Sequence, residues 1–502
     1  MVFNTVAQMK LAKLIAGQIV STKGYYVAGD GGEGSYLVAA SQTVDGYGDH
    51  TLAGGTVALL QADTPTSVKK FGAVGDGVVD DTAAIQATVD AVQLIGGTVF
   101  FPTGTYDVYS EISVDYRGKT GAPNTQTTRI NLVGEGKGNT VIATKTDGIN
   151  GVHIRGDGPL TDASHVYMTV RDLCFAGASP NPRSSFGLRL TDLAYMTVEE
   201  CTFHNLDTCL ILDGALSNRF GGLIFNESST GVQATRTFAG PHANYWSGCE
   251  FRQLTNLAYK NETVASQAVF IGCQIESCGT LGNPATGGMH FNVTGTEGEV
   301  GPSFIGCYFE VNGGGFDILI SGDTLRRTAV TVETCNFNRV LSTKYVTNNI
   351  QTLNDIDLNI SGSSFTSYGT YVVDAGRPYL NLSTGTRLRD LGNRFENPIE
   401  GPTVNQTVPY AGTVAGILGA AVTGTLPAGW AVSQVSTGIF IVTHNLGHTD
   451  YALVATCSST LPRNVQRVVK DATYFQVVIV NVADAFDDGD FCFMLSDLKP
   501  QS

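Results

Sequence analysis

The sequence predicts an all-β protein whose central part is a parallel β-helix, a solenoid in which each coil of chain stacks on the one before. The main observation is a repeated phrase: residues 270–277 read FIGCQIES and residues 304–311 read FIGCYFEV. The composition agrees, since 60 of 502 residues are glycine and only 15% are charged. Abundant glycine with few charges is typical of a β-rich chain with many tight turns.

The phrase occurs nine times in stronger or weaker form, and each occurrence ends in a large apolar residue that we call the marker. Successive markers are 22 to 34 residues apart. The markers are Phe175, Phe203, Phe225, Phe251, Ile275, Phe309, Phe337, Phe365 and Phe395. A constant phrase at irregular spacing predicts coils with one constant face and loops of variable length.

Other positions of the phrase also form columns of like residues. A residue two before the marker is usually small, and cysteine recurs there at Cys201, Cys249, Cys273, Cys307 and Cys335. Glycine precedes this column on several coils, which predicts a left-handed corner between two strands. A second apolar column, which includes Trp246, lies before the corner. We therefore interpret the cysteines as small buried side chains and Trp246 as a core residue.

Composition divides the chain into three parts. Residues 1–65 form a small N-terminal domain, residues 66–400 the β-helix, and residues 401–502 a linker and a C-terminal antiparallel β-sandwich. Residues 83–94 have a helical apolar pattern after the capping residues Asp80, Asp81 and Thr82. An amphipathic helix at this point is expected to cap the open end of the solenoid.

Two segments near the N-terminus resemble a known family. FGAVGDGVVDDTAAIQATVDA (71–91), followed by GGTVFFPTGTYDV (96–108), resembles the start of the pectate-lyase-like right-handed β-helix proteins. KLAKLIAGQIVSTKGYYVAGDGGEGSYLV (10–38) ahead of it is similar to bacteriophage tailspikes. The resemblance implies a homotrimer on the virion, attached through its N-terminus to the phage tail, baseplate or an adaptor protein. It also implies binding and cleavage of a bacterial capsular or O-antigen polysaccharide at the host surface, in a glycan-binding or catalytic groove of the β-helix. The C-terminal sandwich would then serve in trimerisation or as a glycan-binding tip. The resemblance supplies no catalytic residues.

Charge and composition exclude several other partners. A net charge of −15 argues against nucleic acid, which is bound by clustered Lys and Arg. No window approaches eighteen uninterrupted apolar residues, so no membrane insertion is expected. The ten cysteines include no CxxC pair, and neither a metal nor another cofactor is expected.

Alternation around the markers predicts which acidic residues face outward. Glu276 and Glu310 occupy the same outward position on consecutive coils, with α-carbons about 4.8 Å apart. Glu250 lies one coil back and two residues along. Paired carboxylates are the groups that glycoside hydrolysis requires, and these three are the catalytic candidates. They would equally serve as a solvated surface.

Substrate-binding candidates surround these acids. Tyr245 and Tyr308 are predicted to face outward and to stack on sugar rings, although tyrosine is also a common strand residue. Arg252 lies beneath Glu276, and Asp317 follows a marker into a loop, as does Asp213. His242 and His290, placed in loops between repeats, are alternative bases.

Three functions remain open at this point. Paired carboxylates favour an endoglycosidase, and the scarcity of cations on the outward columns is a further argument for hydrolysis. A polysaccharide lyase acting by β-elimination on a uronate is the first alternative, since Arg, Lys, Tyr or His would serve as its base. A receptor-binding fibre without catalysis is the second. The polysaccharide and the host are not encoded in any motif.

Overall fold

The computed structural model describes the N-terminal domain, most of the β-helix and the strands of the C-terminal part. The described residues are 1–117, 129–156, 166–178, 184–235, 243–262, 267–293, 300–322, 327–340, 348–368, 379–383, 386–395, 410–415, 423–425, 431–436, 439–443, 451–457, 463–470, 474–481 and 491–497. Within them the predicted fold class is confirmed.

The N-terminal domain combines one short helix with a five-stranded sheet. Helix α1 spans Val6–Lys10, and the side chain of Thr5 caps it by accepting a hydrogen bond from Gln8 N. The strands, in spatial order, are Val2–Phe3, Ile19–Thr22, Ser35–Ala39, Val57–Leu60 and His50–Thr51. Alternate residues of the two longer central strands are buried, which gives this domain a small core of its own.

Three parallel sheets form the β-helix. Ten of the described coils contribute one strand to each sheet, and the first and last described coils contribute to the first two sheets only. The first sheet contains Thr66–Ser67, Gly97–Phe101, Ile130–Gly134, Thr169–Arg171, Thr197–Glu199, Arg219–Gly221, Asn244–Ser247, Ala268–Ile271, Val300–Ile305, Thr328–Glu333, Ile356–Ser361 and Arg387–Leu391. The second sheet contains Asp76–Asp80, Gly104–Val108, Thr140–Thr144, Cys174–Gly177, Thr202–His204, Ile224–Asn226, Glu250–Arg252, Gln274–Glu276, Tyr308–Glu310, Asn336–Val340, Ser364–Tyr368 and Arg394–Phe395. The third sheet contains Ile112–Asp115, Asn150–Arg155, Phe186–Thr191, Thr208–Asp213, Thr230–Thr235, Leu257–Asn261, Gly287–Asn292, Phe316–Ser321, Asn348–Leu353 and Leu380–Asn381.

The columns predicted from the repeats are present in the core. Every marker pairs with the marker of the next coil in the second sheet, from Phe175 to Phe395. Neighbouring marker rings stack, with 4.6 Å between the centroids of Phe337 and Phe365. Trp246 is fully buried between Phe220 and Phe270 in the first sheet. Burial of like residues in register is what sets the pairing of the coils.

The cysteine column lies inside the solenoid, as predicted. Cys249, Cys273 and Cys307 are at most 1% exposed, and the Cys273 thiol is within hydrogen-bond reach of the other two. Burial raises the pKa of the Cys201 thiol to about 12, so this thiol stays protonated and unreactive. These cysteines therefore fill the core beside the corner.

Helix α2, Thr82–Ile95, covers the N-terminal end of the solenoid. Its residues Ile85, Val89 and Val92 recur at helical spacing and are fully buried. Gln86 uses both ends of its amide, because Nε2 donates to Ser113 O (2.9 Å) and Oε1 accepts from Ser113 N (2.8 Å). Ser113 belongs to the first strand of the third sheet, so this helix satisfies an otherwise unpaired sheet edge.

The described C-terminal strands form two antiparallel four-stranded sheets. One contains, in spatial order, Thr423–Thr425, Tyr410–Ala415, Phe491–Asp497 and Tyr451–Cys457. The other contains Ala431–Ser436, Ile439–Thr443, Tyr474–Asn481 and Arg463–Lys470. None of the helices in the described ranges has the length and apolar character needed to cross a membrane.

Candidate functional site

Glu250, Glu276 and Glu310, which we call the glutamate ladder, lie on the outer face of the second sheet. Glu276 pairs with Glu310 on the next coil and with Arg252 on the previous one. Glu250 begins the strand that Arg252 ends. All three glutamates are half-buried, in strands whose middle residue is a buried marker. The corner fixes this alternation, because Gly248, Gly272 and Gly306 precede the three strands with φ of 57° to 60°.

Each glutamate has a polar neighbour that orients it. Arg252 is 2.9 Å from Glu250 Oε2, and Gln274 Nε2 donates to Glu276 Oε2 at 2.8 Å. Partial burial raises the pKa of Tyr308, and its hydrogen bond to Glu310 acts in the same direction. The Tyr308 hydroxyl also accepts a hydrogen bond from Asn338 Nδ2 at 2.7 Å, so its own proton is available to Glu310.

Stacking sets the spacing of the carboxylates. Partners on neighbouring coils lie about 4.8 Å apart at the backbone, close to the roughly 5–5.5 Å between the carboxyl groups of retaining glycosidases. Glu250 and Glu276 are offset by two residues along the strand, which gives roughly 8 Å and falls in the range of inverting enzymes. At the level of the backbone the ladder thus offers one pair for each class of enzyme, although Glu250 is already ion-paired with Arg252.

Tyr245 lies on the first sheet and not beside the ladder. It is 41% exposed, and the corner at Gly248 separates it from Glu250. It lines a groove of about 690 Å³ together with Tyr167, Tyr195 and Arg219. The structure therefore brings Tyr308 and Arg252 together with the glutamates and places Tyr245 on the adjacent face.

Asp317 is not at a surface, and its assignment to substrate binding is wrong. It lies in the third-sheet strand Phe316–Ser321, not in a loop, and is 3% exposed. Asn312 Nδ2 donates to its Oδ1 at 2.8 Å and Asn349 Nδ2 to its Oδ2 at 2.5 Å. Because both carboxylate oxygens are held inside the coil, this residue has a structural role.

A cluster on the third sheet escaped the sequence analysis. Glu111 Oε2 accepts from Asn150 Nδ2 at 2.6 Å and lies 3.1 Å from His153 Nδ1, while Oε1 pairs with Arg155. His153 Nε2 is 2.8 Å from Thr191 Oγ1. Burial opposes ionisation of Glu111, but the hydrogen bonds from His153 and Asn150 and the charge of Arg155 hold its pKa at about 2. Burial lowers the pKa of His153, which is 6% exposed.

Other polar residues of the third sheet were also placed wrongly. Asp213 and His290 belong to strands, not to loops, and Asp213 Oδ2 pairs with Arg189 at 2.7 Å. His242 lies outside the described residues. The signal for the cluster was the alternation VHIR at 152–155, in which the polar residues occupy the outward positions. In the described ranges, no group of three or more His, Cys, Asp or Glu side chains is arranged to hold a metal ion.

Comparison with known families supports the fold at the level of the class. Residues 66–283 match the family model described as Rhamnogalacturonase A/epimerase, pectate lyase-like. The mannuronan C5-epimerase AlgE1 of Azotobacter vinelandii is 47% identical over 79 residues, which are 15% of this chain and 5% of that protein. Alginate lyase 7 of the same organism is 44% identical over 77 residues, 15% of this chain and 8% of that protein. The chain thus spans less than a tenth of the length of these two curated relatives.

Residues 66–283 of the β-helix are thus similar to the pectate-lyase-like family, as the N-terminal motifs imply. Along its length the chain is also similar in fold to phage tailspikes. The enzymatically active domain of bacteriophage CBA120 tailspike protein 2 covers 100% of this chain and is itself covered to 81%, at a TM-score of 0.55 and 15% identity. Tailspike gp49 of Acinetobacter baumannii bacteriophage Fri1, described as a capsular polysaccharide depolymerase, covers 100% of this chain and is itself covered to 99%, at a TM-score of 0.53 and 14% identity. ORF18 of Geobacillus virus E2 covers 100% of this chain and is itself covered to 92%, at a TM-score of 0.53 and 16% identity.

Proposed function

We propose that this protein is a phage tailspike that binds a bacterial capsular or O-antigen polysaccharide and cleaves it by endoglycosidic hydrolysis. The observation that carries the proposal is the pair Glu276 and Glu310, stacked on consecutive coils at an outer face. Glycoside hydrolysis needs one carboxyl group to protonate the leaving oxygen and a second to attack the sugar or to activate water. Two glutamates held by a rigid sheet meet that need.

The geometry favours a retaining mechanism through Glu276 and Glu310. Their backbone separation from coil to coil is close to the distance between the carboxyl groups of retaining enzymes. Arg252 forms its ion pair with Glu250, so Glu276 and Glu310 both stay outside that ion pair. Gln274 fixes the orientation of Glu276, and Tyr308 lies beside Glu310. We assign the substrate-contacting roles to Tyr308 and Arg252, whose side chains flank the pair.

Substitution of the two glutamates tests the proposal. Glu276→Gln and Glu310→Gln are each expected to lower the release of reducing ends from the cleaved polysaccharide by about 100-fold or more, because glutamine neither donates nor accepts a catalytic proton. The substrate is found first with a panel of purified capsular and O-antigen polysaccharides. Glu333→Gln is the matched control, since Glu333 is exposed at the end of a first-sheet strand. Unchanged cleavage by both ladder variants would refute the catalytic assignment, and binding without any cleavage would indicate a receptor-binding fibre.

The cluster of Glu111, His153 and Arg155 favours a second candidate function, a polysaccharide lyase. In β-elimination a base removes the proton beside the uronate carboxylate, the electrons form a C=C bond, and the bond to the glycosidic oxygen breaks as that oxygen takes up a proton from the base or from water. Arg155 would be the carboxylate ligand, and His153 would be the base once its Nε2 leaves the 2.8 Å contact with Thr191 Oγ1. A curated relative is an alginate lyase. The same digests distinguish the two candidates, because only elimination leaves an unsaturated uronate that absorbs near 232 nm.

We also assign the protein to the virion as a homotrimer that acts at the host surface. The support is the tailspike fold along the whole chain, with a separate small domain at the N-terminus. In this arrangement residues 1–65 attach to the phage tail, the baseplate or an adaptor, and the β-helix carries the glycan site. The C-terminal sheets serve in trimerisation or as a glycan-binding tip.

A further inference from the structure

Two tyrosines stack at one corner of the solenoid, on the face next to the glutamate ladder. Tyr167 and Tyr195 occupy the same position on consecutive coils, where φ is 47° and 62°. Their rings are 5.3 Å apart with an interplanar angle of 9°, and they are 55% and 43% exposed. The guanidinium of Arg129 lies 4.7 Å from the centroid of Tyr167. Planar groups therefore stack along the solenoid axis in the order Arg129, Tyr167, Tyr195.

Tyrosine does not recur at this corner on the next two coils, which carry small residues there. Tyr195 N bonds to Leu216 O, which aligns Tyr195 with Ser217, and Ala243 follows on the next coil. Ser217 and Ala243 have the same left-handed backbone, with φ of 51° and 55°. Coils repeat every 4.8 Å or so, and the gap at this corner, a cavity of about 690 Å³, is lined by Tyr195, Ser217 and Ala243, so it has room for a sugar ring beside Tyr195.

Fixed groups surround this gap. Buried Asn218 and Asn244 hold its floor, because Asn218 Nδ2 donates to Asn244 Oδ1 (3.2 Å) and Asn244 Nδ2 donates to Ala215 O (3.0 Å). Exposed Arg219 pairs with Tyr245 on the neighbouring strands, so both lie at the side of the gap. We call this space, which the tyrosines and Arg219 line, the tyrosine groove.

We propose that the tyrosine groove is a subsite for an acidic oligosaccharide, with a pyranose ring continuing the stack on Tyr195 and a sugar carboxylate on Arg219. Aromatic faces bind the apolar faces of sugar rings, and their hydroxyls remain available for hydrogen bonds. The described residues that line the groove include an arginine and no acidic side chain. On a chain of net charge −15, such a local cation is what permits an anionic ligand to bind.

The inference rests on the proposed function and specifies its substrate class. Tyr245 and Glu250 lie on either side of the corner at Gly248, so one polysaccharide chain can contact both the groove and the ladder. The groove would hold an acidic unit while the neighbouring linkage reaches the glutamates. The polysaccharide that is cleaved should therefore contain a carboxylate sugar.

Filling the gap is the sharpest test. Ser217→Tyr extends the tyrosine stack into the space assigned to the sugar, and the backbone accepts it because tyrosine already occupies this conformation at Tyr167 and Tyr195. Binding is measured by calorimetry with hexamers of galacturonate, mannuronate and sialic acid, and with a neutral glucose hexamer. The Glu276→Gln/Glu310→Gln double variant is the background, so that no probe is cleaved. We expect at least one acidic hexamer to bind, and Ser217→Tyr to weaken it tenfold or more at an unchanged melting temperature.

Two further variants separate stacking from charge. Tyr195→Ala is expected to weaken the acidic hexamer about tenfold, and Arg219→Gln to abolish the preference for the acidic over the neutral hexamer. Tyr109→Ala and Arg117→Gln are matched controls, since both residues are exposed and lie outside the groove. If no acidic hexamer binds, or if Ser217→Tyr and Arg219→Gln bind like the background, the inference is wrong.

The two proposals fail separately. Loss of cleavage in the glutamate variants is measured on the polysaccharide and does not depend on the hexamers. Binding to the groove is compared between variants on one background, and each hexamer is checked for intact length after the titration, so this readout does not depend on which residues catalyse cleavage. Cleavage that survives the glutamate substitutions would therefore refute the catalytic assignment alone. Affinities for the acidic hexamers that are unchanged in the groove variants would refute the subsite alone.

Discussion

Asp317 illustrates what a single buried carboxyl does inside a solenoid. Burial raises the pKa of this carboxyl to about 6 from an ordinary value of 3.8, against the opposing hydrogen bonds from Asn312 and Asn349. The folded protein thus favours the protonated form more than the unfolded chain does. The resulting contribution to stability is complete below pH 3.8 and is lost as the pH rises through about 6.

Asp317→Asn is expected to remove this pH dependence. A shift of about two pKa units corresponds to about 3 kcal/mol, so the wild type should lose about that much between pH 4 and pH 7 relative to the variant. Thermal unfolding of both proteins at the two pH values measures the difference. The variant also changes a hydrogen bond at every pH, which is why the slope and not the absolute melting temperature is the readout. Parallel curves for the two proteins would contradict the assignment.

Residues close to a marker could be predicted and residues far from one could not. Glu250, Glu276 and Glu310 lie within one residue of a marker, so alternation gave their outward orientation and their neighbours correctly. Asp317 lies eight residues after Phe309, beyond a turn whose length varies between coils. Counting residues from the marker therefore cannot predict which residues face inward after such a turn. The Glu111 cluster was missed for the same reason, since its strands precede the first marker or lie on another sheet.

The corner between the first and second sheets is the element that keeps the glutamates aligned. Its residues have positive φ on every described coil from Asp172 to Gly392, and glycine occupies Gly222, Gly248, Gly272, Gly306, Gly362 and Gly392. Other coils place Asp172, Glu200 or Thr334 there, at a cost that the stacked neighbours offset. The repeated glycine was visible in the sequence and identified the corner, whereas the coils without glycine gave no such signal.

Alanine substitutions at two kinds of glycine should separate backbone strain from steric conflict. A Cβ at Gly248 has open space around it, so Gly248→Ala is expected to cost about 1–2 kcal/mol for the left-handed backbone alone, and Gly248→Asn less. A Cβ at Gly231, in a third-sheet strand, would lie 2.4 Å from Ala258 O, so Gly231→Ala should cost about 3 kcal/mol. Denaturant unfolding of the three variants gives the order. Equal losses at the two sites would contradict this account of the corner.

At the scale of the molecule, one hydrophobic core runs the length of the β-helix, from Val68 to Leu382. The strands of each coil pair only with strands of its neighbours, so the stability of the array depends on how its ends are closed. Helix α2 closes the N-terminal end and contributes Ile85, Val89 and Val92 to that core. The N-terminal domain has a separate core and meets the solenoid around Phe71 and Gly72, where Tyr26 donates to Gly72 O at 2.9 Å.

Truncation at two points distinguishes an attachment domain from an end cap. Removal of residues 1–61 leaves Asp63, its 2.7 Å ion pair with Lys70, and helix α2, so the shortened protein should stay monodisperse and retain cleavage of its polysaccharide. Its melting temperature should fall slightly, because the Phe71 ring, which packs against Gly48, becomes exposed.

Removal of residues 1–96 takes away α2 and leaves the backbone of Ser113 unpaired at the edge of the third sheet. An exposed parallel edge invites association, so this protein should aggregate on size-exclusion chromatography. If the protein without residues 1–61 aggregates, the N-terminal domain is needed for the β-helix to fold. If the protein without residues 1–96 stays monodisperse, α2 does not act as the end cap.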